Sequence, residues 1–572
     1  MRCSRREAGR QRALPGLGHG RRSDVGWALA ALLGPSLVLG GCSTSTCDLD
    51  TVSAALLGAT PGSVVSLPSC SYEGPVELTV PAGVTLRGSG RQSTVLRSLP
   101  EDASPVALNL LPGTSTQPTR VIGLALDLDG PVVAIRALAP EVDPGGSVVL
   151  EDVRVQTRTG VAVAAQHLSA LTLRDVELVG AVPDSASLAE DSVFTDVATA
   201  MPDPLPTTDD CPAGEVLDLC ETGTTFTRSC ERGGCGVFQG FCGACRKQIT
   251  VTSTVGLYVS RVSDATLENV DIRGFASFGA VVDGDEDVQE TVTWTEGTVA
   301  STLRQALYLR EVDSTLDGVC IERVFAGFAA PSIAFYFFTR RESQLVTSDL
   351  RLFDNQGYGL VQQGGVSEHR GLEAQGNTRA SLWIADAVDF GVRDSSVHDT
   401  DLAGLVLFRT DAAEILRTSF QGIRQAVTLV GADNVGSIRM GDGVHSIRSS
   451  PVRFEEVDLL DNQRIGLVMD LFGLDPASDV CRGGEGICFD GRNLVRSDLG
   501  VPGALAVDTS DIDEAEPVTT VETSGEPGWS AGLTREGGAE ADEGFTGTEI
   551  DVVGVIAPVN APEIAGVIAP VN

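Results

Sequence analysis

A four-residue pattern recurs through the second half of the chain: a small residue, an apolar one, one of free choice and another apolar one. It reads Gly256-Leu257-Tyr258-Val259, Gly279-Ala280-Val281-Val282, Ala306-Leu307-Tyr308-Leu309 and Ala334-Phe335-Tyr336-Phe337. It continues as Gly359-Leu360-Val361-Gln362, Ser381-Leu382-Trp383-Ile384, Gly404-Leu405-Val406-Leu407 and Ala426-Val427-Thr428-Leu429, in steps of 22–28 residues. The next step is 40 residues, to Gly466-Leu467-Val468-Met469, with a weak copy, Ser446-Ile447-Arg448, in the gap. Alternation inside each unit predicts a β-strand whose second and fourth residues face one way. The fixed spacing predicts a solenoid. A lone strand of this kind has nothing to bury its apolar face against. Stacking coil on coil builds a continuous core and pairs each strand with the next at about 4.8 Å.

A second relation runs through the same region. Ile272, Leu352, Val397 and Leu459 are each followed seven residues on by a glycine of the repeat. Two of the turns between share Asp-Asn-Gln, at Asp354-Asn355-Gln356 and Asp461-Asn462-Gln463. Asn and Asp tolerate left-handed backbone and suit a tight corner. Earlier coils are predicted at Gly123-Leu124-Ala125-Leu126, Gly160-Val161-Ala162-Val163 and 171–176. Before them a short helix is expected over 51–57, with Asp50 as its N-cap and Gly58 at its end. Pro61-Gly62, Leu67-Pro68 with Tyr72, Gly83-Val84-Thr85-Leu86, Gly88-Ser89-Gly90 and Thr94-Val95-Leu96 follow in order. This run resembles the start of the pectate-lyase-like right-handed parallel β-helix superfamily. The resemblance implies an all-β, single-stranded solenoid with an N-terminal capping helix, over most of 50–183 and 251–507. It departs at Cys70, where a Gly is usual.

The first 41 residues read as a leader. Seven Arg precede an apolar stretch over 27–39, too short to span a bilayer comfortably. Leu39-Gly40-Gly41-Cys42 resembles a bacterial lipobox, which implies a signal peptide over 1–41, lipidation of Cys42 and a tether over 42–50. Ser43 after the Cys resembles outer-membrane sorting. The expected location is therefore an exported, membrane-anchored lipoprotein at the outer membrane or cell surface. Loss of 1–41 removes 7 basic and 2 acidic groups and leaves a net charge of −42. Such a surface repels nucleic acid and anionic lipid, so the membrane is met through the anchor only.

Thirteen Cys fit an oxidising compartment. Cys47 and Cys70 are one coil apart and are expected to staple the first turn. Cys481 and Cys488 enclose a Gly-rich loop and read as a pair. The period breaks over 184–250, a polar, Pro-rich and Cys-rich excursion between the β-helix parts 51–183 and 251–507. Its six Cys, Cys211, Cys220, Cys230, Cys235, Cys242 and Cys245, allow 15 pairings, and disulfides are favoured over a zinc site in an exported chain. Cys320 has no evident partner. Residues 508–572 form an acidic tail expected to be disordered.

Aligning the repeats places Tyr258, Tyr308, Tyr336 and Trp383 at the outward third position. Tyr308 and Tyr336 are expected on adjacent rungs, with Tyr258 and Trp383 two rungs away on either side. Aromatic rings in series suit an extended glycan. The opposing reading is a secondary core beneath a loop or the excursion. The aligned positions lack the carboxylates and Arg base that the pectate lyase resemblance implies. The Gly-His-Gly of polygalacturonases occurs only at Gly18-His19-Gly20, in the leader. The best catalytic cluster is His398, Asp399 and Asp401, against which stand solvated turn residues and a structural Asp386–Arg409 pair. No cofactor is expected; Ca²⁺ is the alternative, at the His398, Asp399 and Asp401 cluster or at the acidic run 283–287, where a solvated loop is the opposing reading. The leading reading is a non-catalytic protein binding polysaccharide or cell-surface material. A polysaccharide lyase or hydrolase and a structural or adhesive rod stand beside it.

Overall fold

A computed structural model describes residues 47–99, 105–140, 145–181, 254–275, 277–285, 288–302, 305–325, 332–430, 436–447, 449, 451–463 and 466–470. Six further strands are placed by their backbone: Val216–Thr222, Thr225–Glu231, Ile249–Thr250, Ile487–Asp490, Leu494–Arg496 and Ala504–Val507. The chain is a parallel β-helix. Its strands fall into three ladders, here sheets I, II and III, visited in turn by each coil.

Sheet I carries the repeat. The second positions stack in one column, Leu257, Ala280, Leu307, Phe335, Leu360, Leu382, Leu405, Val444 and Leu467. All of them are fully buried. Each of the Leu, Phe and Val side chains contributes roughly 2 kcal/mol by leaving water, and Ala280 less than half of that. Sheet II runs, for example, from Gln344–Ser348 through Val366–Arg370 and Asp389–Arg393 to Ala413–Leu416. Sheet III stacks Ile272, Val299, Ile321, Leu352, Ala374, Val397, Phe420 and Leu459 in a single column. The residues seven before the repeat glycines therefore do share one ladder.

The small residue that opens each repeat has a steric cause. A Cβ on Gly279 would lie 2.3 Å from Val299 Cγ1 and 2.5 Å from the Ala306 carbonyl oxygen. One on Gly404 would lie 2.5 Å from the Gly443 carbonyl oxygen and 2.7 Å from Phe420 Cδ1. Sheet III presses on sheet I here, so the repeat starts small.

Corners stack as well. Asp354, Asp399 and Asp461 all take φ of 51–53°, and Gly376 and Gly422 occupy the intervening coils at 71° and 66°. The two Asp-Asn-Gln turns are equivalent. Asn355 and Asn462 are buried, and their Oδ1 atoms accept from the Val324 and Ile423 amides, each at 3.1 Å. Asn therefore serves both as corner former and as cap on a neighbouring coil.

The N-terminal helix spans Leu49–Leu57 and buries Val52 and Leu56 over the first coil. Its N-cap is Asp48, two residues earlier than expected, because the Asp48 carboxylate accepts from the amides of Asp50 and Thr51. Cys47 and Cys70 are joined in a disulfide. Closing 23 residues this way contributes about 3 kcal/mol in the chain-entropy account. Cys320, left without a partner by the sequence, is also disulfide-bonded. Cys42 and the side chains of Cys211, Cys220, Cys230, Cys235, Cys242, Cys245, Cys481 and Cys488 lie outside the described residues.

Three predicted repeat units are displaced. Ala426–Val430 is not a rung. It pairs antiparallel with 436–440 in a hairpin. The rung is Gly443-Val444-His445-Ser446, whose Val444 and His445 sit on Leu405 and Val406. The apolar alternation of a hairpin arm is indistinguishable in sequence from that of a rung. Likewise 134–137 and 162–165 are the sheet I units of the early coils, whereas 123–126 belongs to sheet III. The long strands Thr119–Leu138 and Ser147–Gln166 run through two corners, from sheet II to sheet III and on to sheet I, so their alternation does not mark them.

Both antiparallel elements leave from one corner. The three strands Val216–Thr222, Thr225–Glu231 and Ile249–Thr250 lie between Glu177–Val179 of sheet III and Val255–Ser260 of sheet I. The hairpin lies between Ser419–Gln421 of sheet III and the next sheet I strand. The ladders carry on across both: Leu178 pairs Ile272, and Phe420 pairs Leu459.

Candidate functional site

The third positions of sheet I do form one outward column. Tyr258, Val281, Tyr308, Tyr336, Val361 and Trp383 are successive rungs. The Tyr308 and Tyr336 rings are 5.3 Å apart, as adjacent rungs require. Most of this column is covered. Tyr258, Tyr336 and Trp383 are 6%, 5% and 5% exposed. They belong to two apolar clusters on the outer face, one with Val161, Val255 and Phe278, the other with Ile333, Tyr358 and Val406. Met440 and Ala426, at the base of the hairpin, pack on the second cluster. The face is thus a secondary core over most of its length.

Tyr308 is the exception. It lies between the two clusters and is half-buried. Phe338 beside it is also half-buried, 6.3 Å from the Tyr336 ring, with the Arg340 guanidinium 5.8 Å above it. The neighbouring outward column brings up Arg310, Phe338 and Gln363 in register, and Gln363 Oε1 accepts from the Tyr336 hydroxyl at 3.1 Å. The result is a small patch of two aromatic rings with guanidinium and amide groups around them.

One edge of this patch is charged and dry. Asp283 Oδ1 lies 2.5 Å from Arg310 Nε. Burial nonetheless outweighs Arg310 and pushes the Asp283 carboxyl up to about 6. Burial also raises the Tyr308 hydroxyl well above its usual range. Glu311, directly after Arg310, accepts from the Thr339 hydroxyl and the Arg340 amide of the next coil.

The residues His398, Asp399 and Asp401 come together at a different corner, after sheet III. His398 Nδ1 is 3.2 Å from Asp399 Oδ2, and the Asp399 side chain is 62% exposed. Asp399 occupies the stacked left-handed corner position. Asp401 accepts from Arg424 at 2.6 Å. Asp386–Arg409 and Asp394–Arg417 repeat that pairing at the two other corners of the same coil, at 2.8 and 2.7 Å. No group of three or more metal-ligating side chains is found among the described residues, the Asp283–Asp285 region included.

One polar pair on sheet I escaped sequence reading. His445 Nδ1 lies 3.3 Å from Asp442 Oδ2, both buried, on the outward side one rung beyond Val406. The signal was present. Gly443 stands 23 residues before Gly466, a normal step that the hairpin arm masked.

No family model matches the chain, and no curated protein matches it. Among solved structures it is similar to the Azotobacter vinelandii mannuronan C-5 epimerase AlgE4 A-module, at 12% identity and TM-score 0.30, over 80% of this chain and 94% of that one. It is similar to PfbA, a surface adhesin of Streptococcus pneumoniae, at 8% identity and TM-score 0.35, over 72% and 87%. A GH87 alpha-1,3-glucanase catalytic unit from Streptomyces thermodiastaticus matches at 9% and 0.31, over 81% and 70%. The fold assignment stands on the strand register, not on these likenesses.

Proposed function

We propose that the protein is an exported, lipid-anchored β-helix that binds a neutral polysaccharide at the Tyr308 patch. The observation that carries this reading is that Tyr308 and Phe338 are only partly buried on a face whose other rings are buried, with Arg310, Arg340 and Gln363 around them. Aromatic faces with nearby planar donors are the chemistry that holds a sugar ring. The patch spans adjacent rungs about 5 Å apart, so it suits one or two sugar units of a chain. Tyr336, on the next rung, flanks the patch, whereas Tyr258 and Trp383 lie two and three rungs from Tyr308, and all three are buried away from the ligand. A net charge of −42 after leader removal disfavours anionic glycans.

The test is a glycan array followed by titration. Tyr308→Ala and Arg310→Ala should each weaken binding about five-fold, the loss of roughly 1 kcal/mol. His398→Ala should leave it unchanged. No binding on the array, or unchanged affinity in both patch variants, would favour a structural or adhesive rod, the reading that the buried rings support. Catalysis at His398, Asp399 and Asp401 has less behind it, because Asp401 is held by Arg424 and Asp399 forms the corner.

Anchoring rests on the lipobox-like Leu39-Gly40-Gly41-Cys42, outside the described residues. Cys42→Ser should move the protein from the membrane fraction to the soluble one. A variant that stays with the membrane, alongside a native protein that takes up no labelled fatty acid, would sink the anchor.

A further inference from the structure

Where sheet I hands over to sheet II, the first coils present a corner with no charge on it. The segments 57–63, 81–84 and 111–118 lead into successive sheet II strands, and none contains a charged residue. They stack. A Cβ on Gly83 would lie 3.2 Å from Pro61 Cβ. Leu111, one residue past the Val80–Leu110 pair, donates its amide to the Val80 carbonyl at 3.0 Å. Leu138 comes next, because Leu110 pairs Ala137. Leu57 is 82% exposed, Leu111 42% and Leu138 40%. Farther along the rod the same corner carries Arg261, Glu311, Arg340, Arg341, Asp386 and Arg409. Of the seven large hydrophobic side chains that stand exposed among the described residues, five lie within 57–138. Charge is graded the same way. Residues 47–138 hold 8 acidic and 5 basic groups, a net −3 out of the −42 carried by 42–572. A single exposed Leu needs no explanation, but an uncharged ridge at one end of a strongly acidic rod marks a contact surface.

We infer that this ridge, Leu57, Pro61, Pro81, Leu111 and Leu138, seats the first coils on a lipid bilayer, so that the anchored rod leans on the membrane instead of swinging free. The inference rests on the anchoring reading above and extends it, since composition alone expects the membrane to be met through the lipid only. Cys47 is tied to Cys70 on the first coil, and it stands five residues after Cys42, a reach of about 17 Å when extended. The helix Leu49–Leu57 leads from that staple to the head of the ridge, about 13 Å away. The first coil is therefore held against the bilayer at high local concentration, which no folded partner shares. Anionic headgroups repel the acidic remainder of the rod over a Debye length of about 8 Å, and the nearly neutral end feels this least. Apolar side chains at that end then gain by entering the headgroup boundary.

The test uses the mature chain with a histidine tag in place of Cys42, tethered to nickel-chelating phosphatidylcholine vesicles. Leu111→Trp and Val388→Trp each put a ring at an exposed position of the same corner, one on the ridge and one many coils away. Fluorescence is compared between brominated and unbrominated acyl chains, after subtraction of the parent chain. The ring at 111 should be quenched about two-fold, as a side chain seated about 5–10 Å into the headgroup and acyl boundary requires. The ring at 388 should be unaffected. Adding Leu57→Asp to Leu111→Trp should remove most of the quenching. Equal quenching at 111 and 388, or none at 111, overturns the inference. A concentration-dependent dimer that Leu57→Asp dissolves would assign the ridge to a second copy and overturn it too. The histidine tether stands in for the lipid, so these outcomes do not depend on whether Cys42 is acylated. Uptake of labelled fatty acid reports that separately.

Discussion

Replacing His369 by Val should make the protein weaker at neutral pH and stronger in acid. His369 sits inside the solenoid on sheet II, between Thr347 and Val392 in the ladder. It is completely buried, 2.9 Å from the Thr347 hydroxyl and 5.6 Å from the Phe390 ring. Burial holds its pKa down at about 3, against 6.5 when exposed. Unfolded chains bind a proton there below about pH 6.5, and folded ones do not until about pH 3. Stability therefore falls as pH drops through that window, by on the order of 5 kcal/mol at its lower end. His369→Val removes this loss. It also leaves the buried Thr347 hydroxyl without its partner, at about 1–3 kcal/mol at every pH. The two effects should cross near pH 5. Urea unfolding at pH 7 and pH 3.5 reads both. Parallel stability curves for the two proteins would mean that the imidazole is solvated or charged in the fold.

Gly404→Val should cost about 3 kcal/mol or more, at or above the top of the usual overpacking range, because it is forced against backbone. Its first new atom meets the Gly443 carbonyl oxygen and Phe420 Cδ1 at once, with Ile423 Cδ1 at 3.4 Å. The first of these is backbone and the second a buried ring edge, and neither is the loose end of a flexible chain. The coil and its two neighbours must part, and the sheet I and sheet III ladders part with them. Val388→Ala, at an exposed position, should stay within about 0.5 kcal/mol. A Gly404→Val protein within 1 kcal/mol of the parent would show that sheet III does not press on sheet I as described.

Such a position explains why the fold was legible from sequence. The small residue, the inward pair and the Asp-Asn-Gln corners each answer to one local contact that repeats every coil. Tyr308 and Tyr336 could be placed on adjacent rungs because the period counts rungs directly. The covering over Tyr336 and Trp383 could not be read, since part of it comes from a hairpin arm rather than from the rungs. Ala426 and Met440 are in the covering, and alternation alone reads the first of them as part of a rung. The site suffered most from this. Alternation tells which way a side chain points, and says nothing of what lies over it. His398, Asp399 and Asp401 looked like chemistry because turn carboxylates and ion-pair ladders use the same residues as acid–base catalysis. His369 was unmarked for the opposite reason, being ordinary in sequence and unusual only in its burial.

Both antiparallel elements depart where sheet III hands over to sheet I, and the ladders close behind them as if nothing had intervened. That corner is a splice point. Strand register is read from residues on either side of it, and a rung is indifferent to whether the next begins a few residues later or more than seventy. Material can therefore be added or exchanged there without re-specifying the rod. Because the corner borders the outer face of sheet I, an addition there can pack onto that face, as the hairpin's Ala426 and Met440 do in the cluster that holds Trp383. The fold thus separates an invariant frame from a replaceable lining, and the lining decides how much of that face the world can touch.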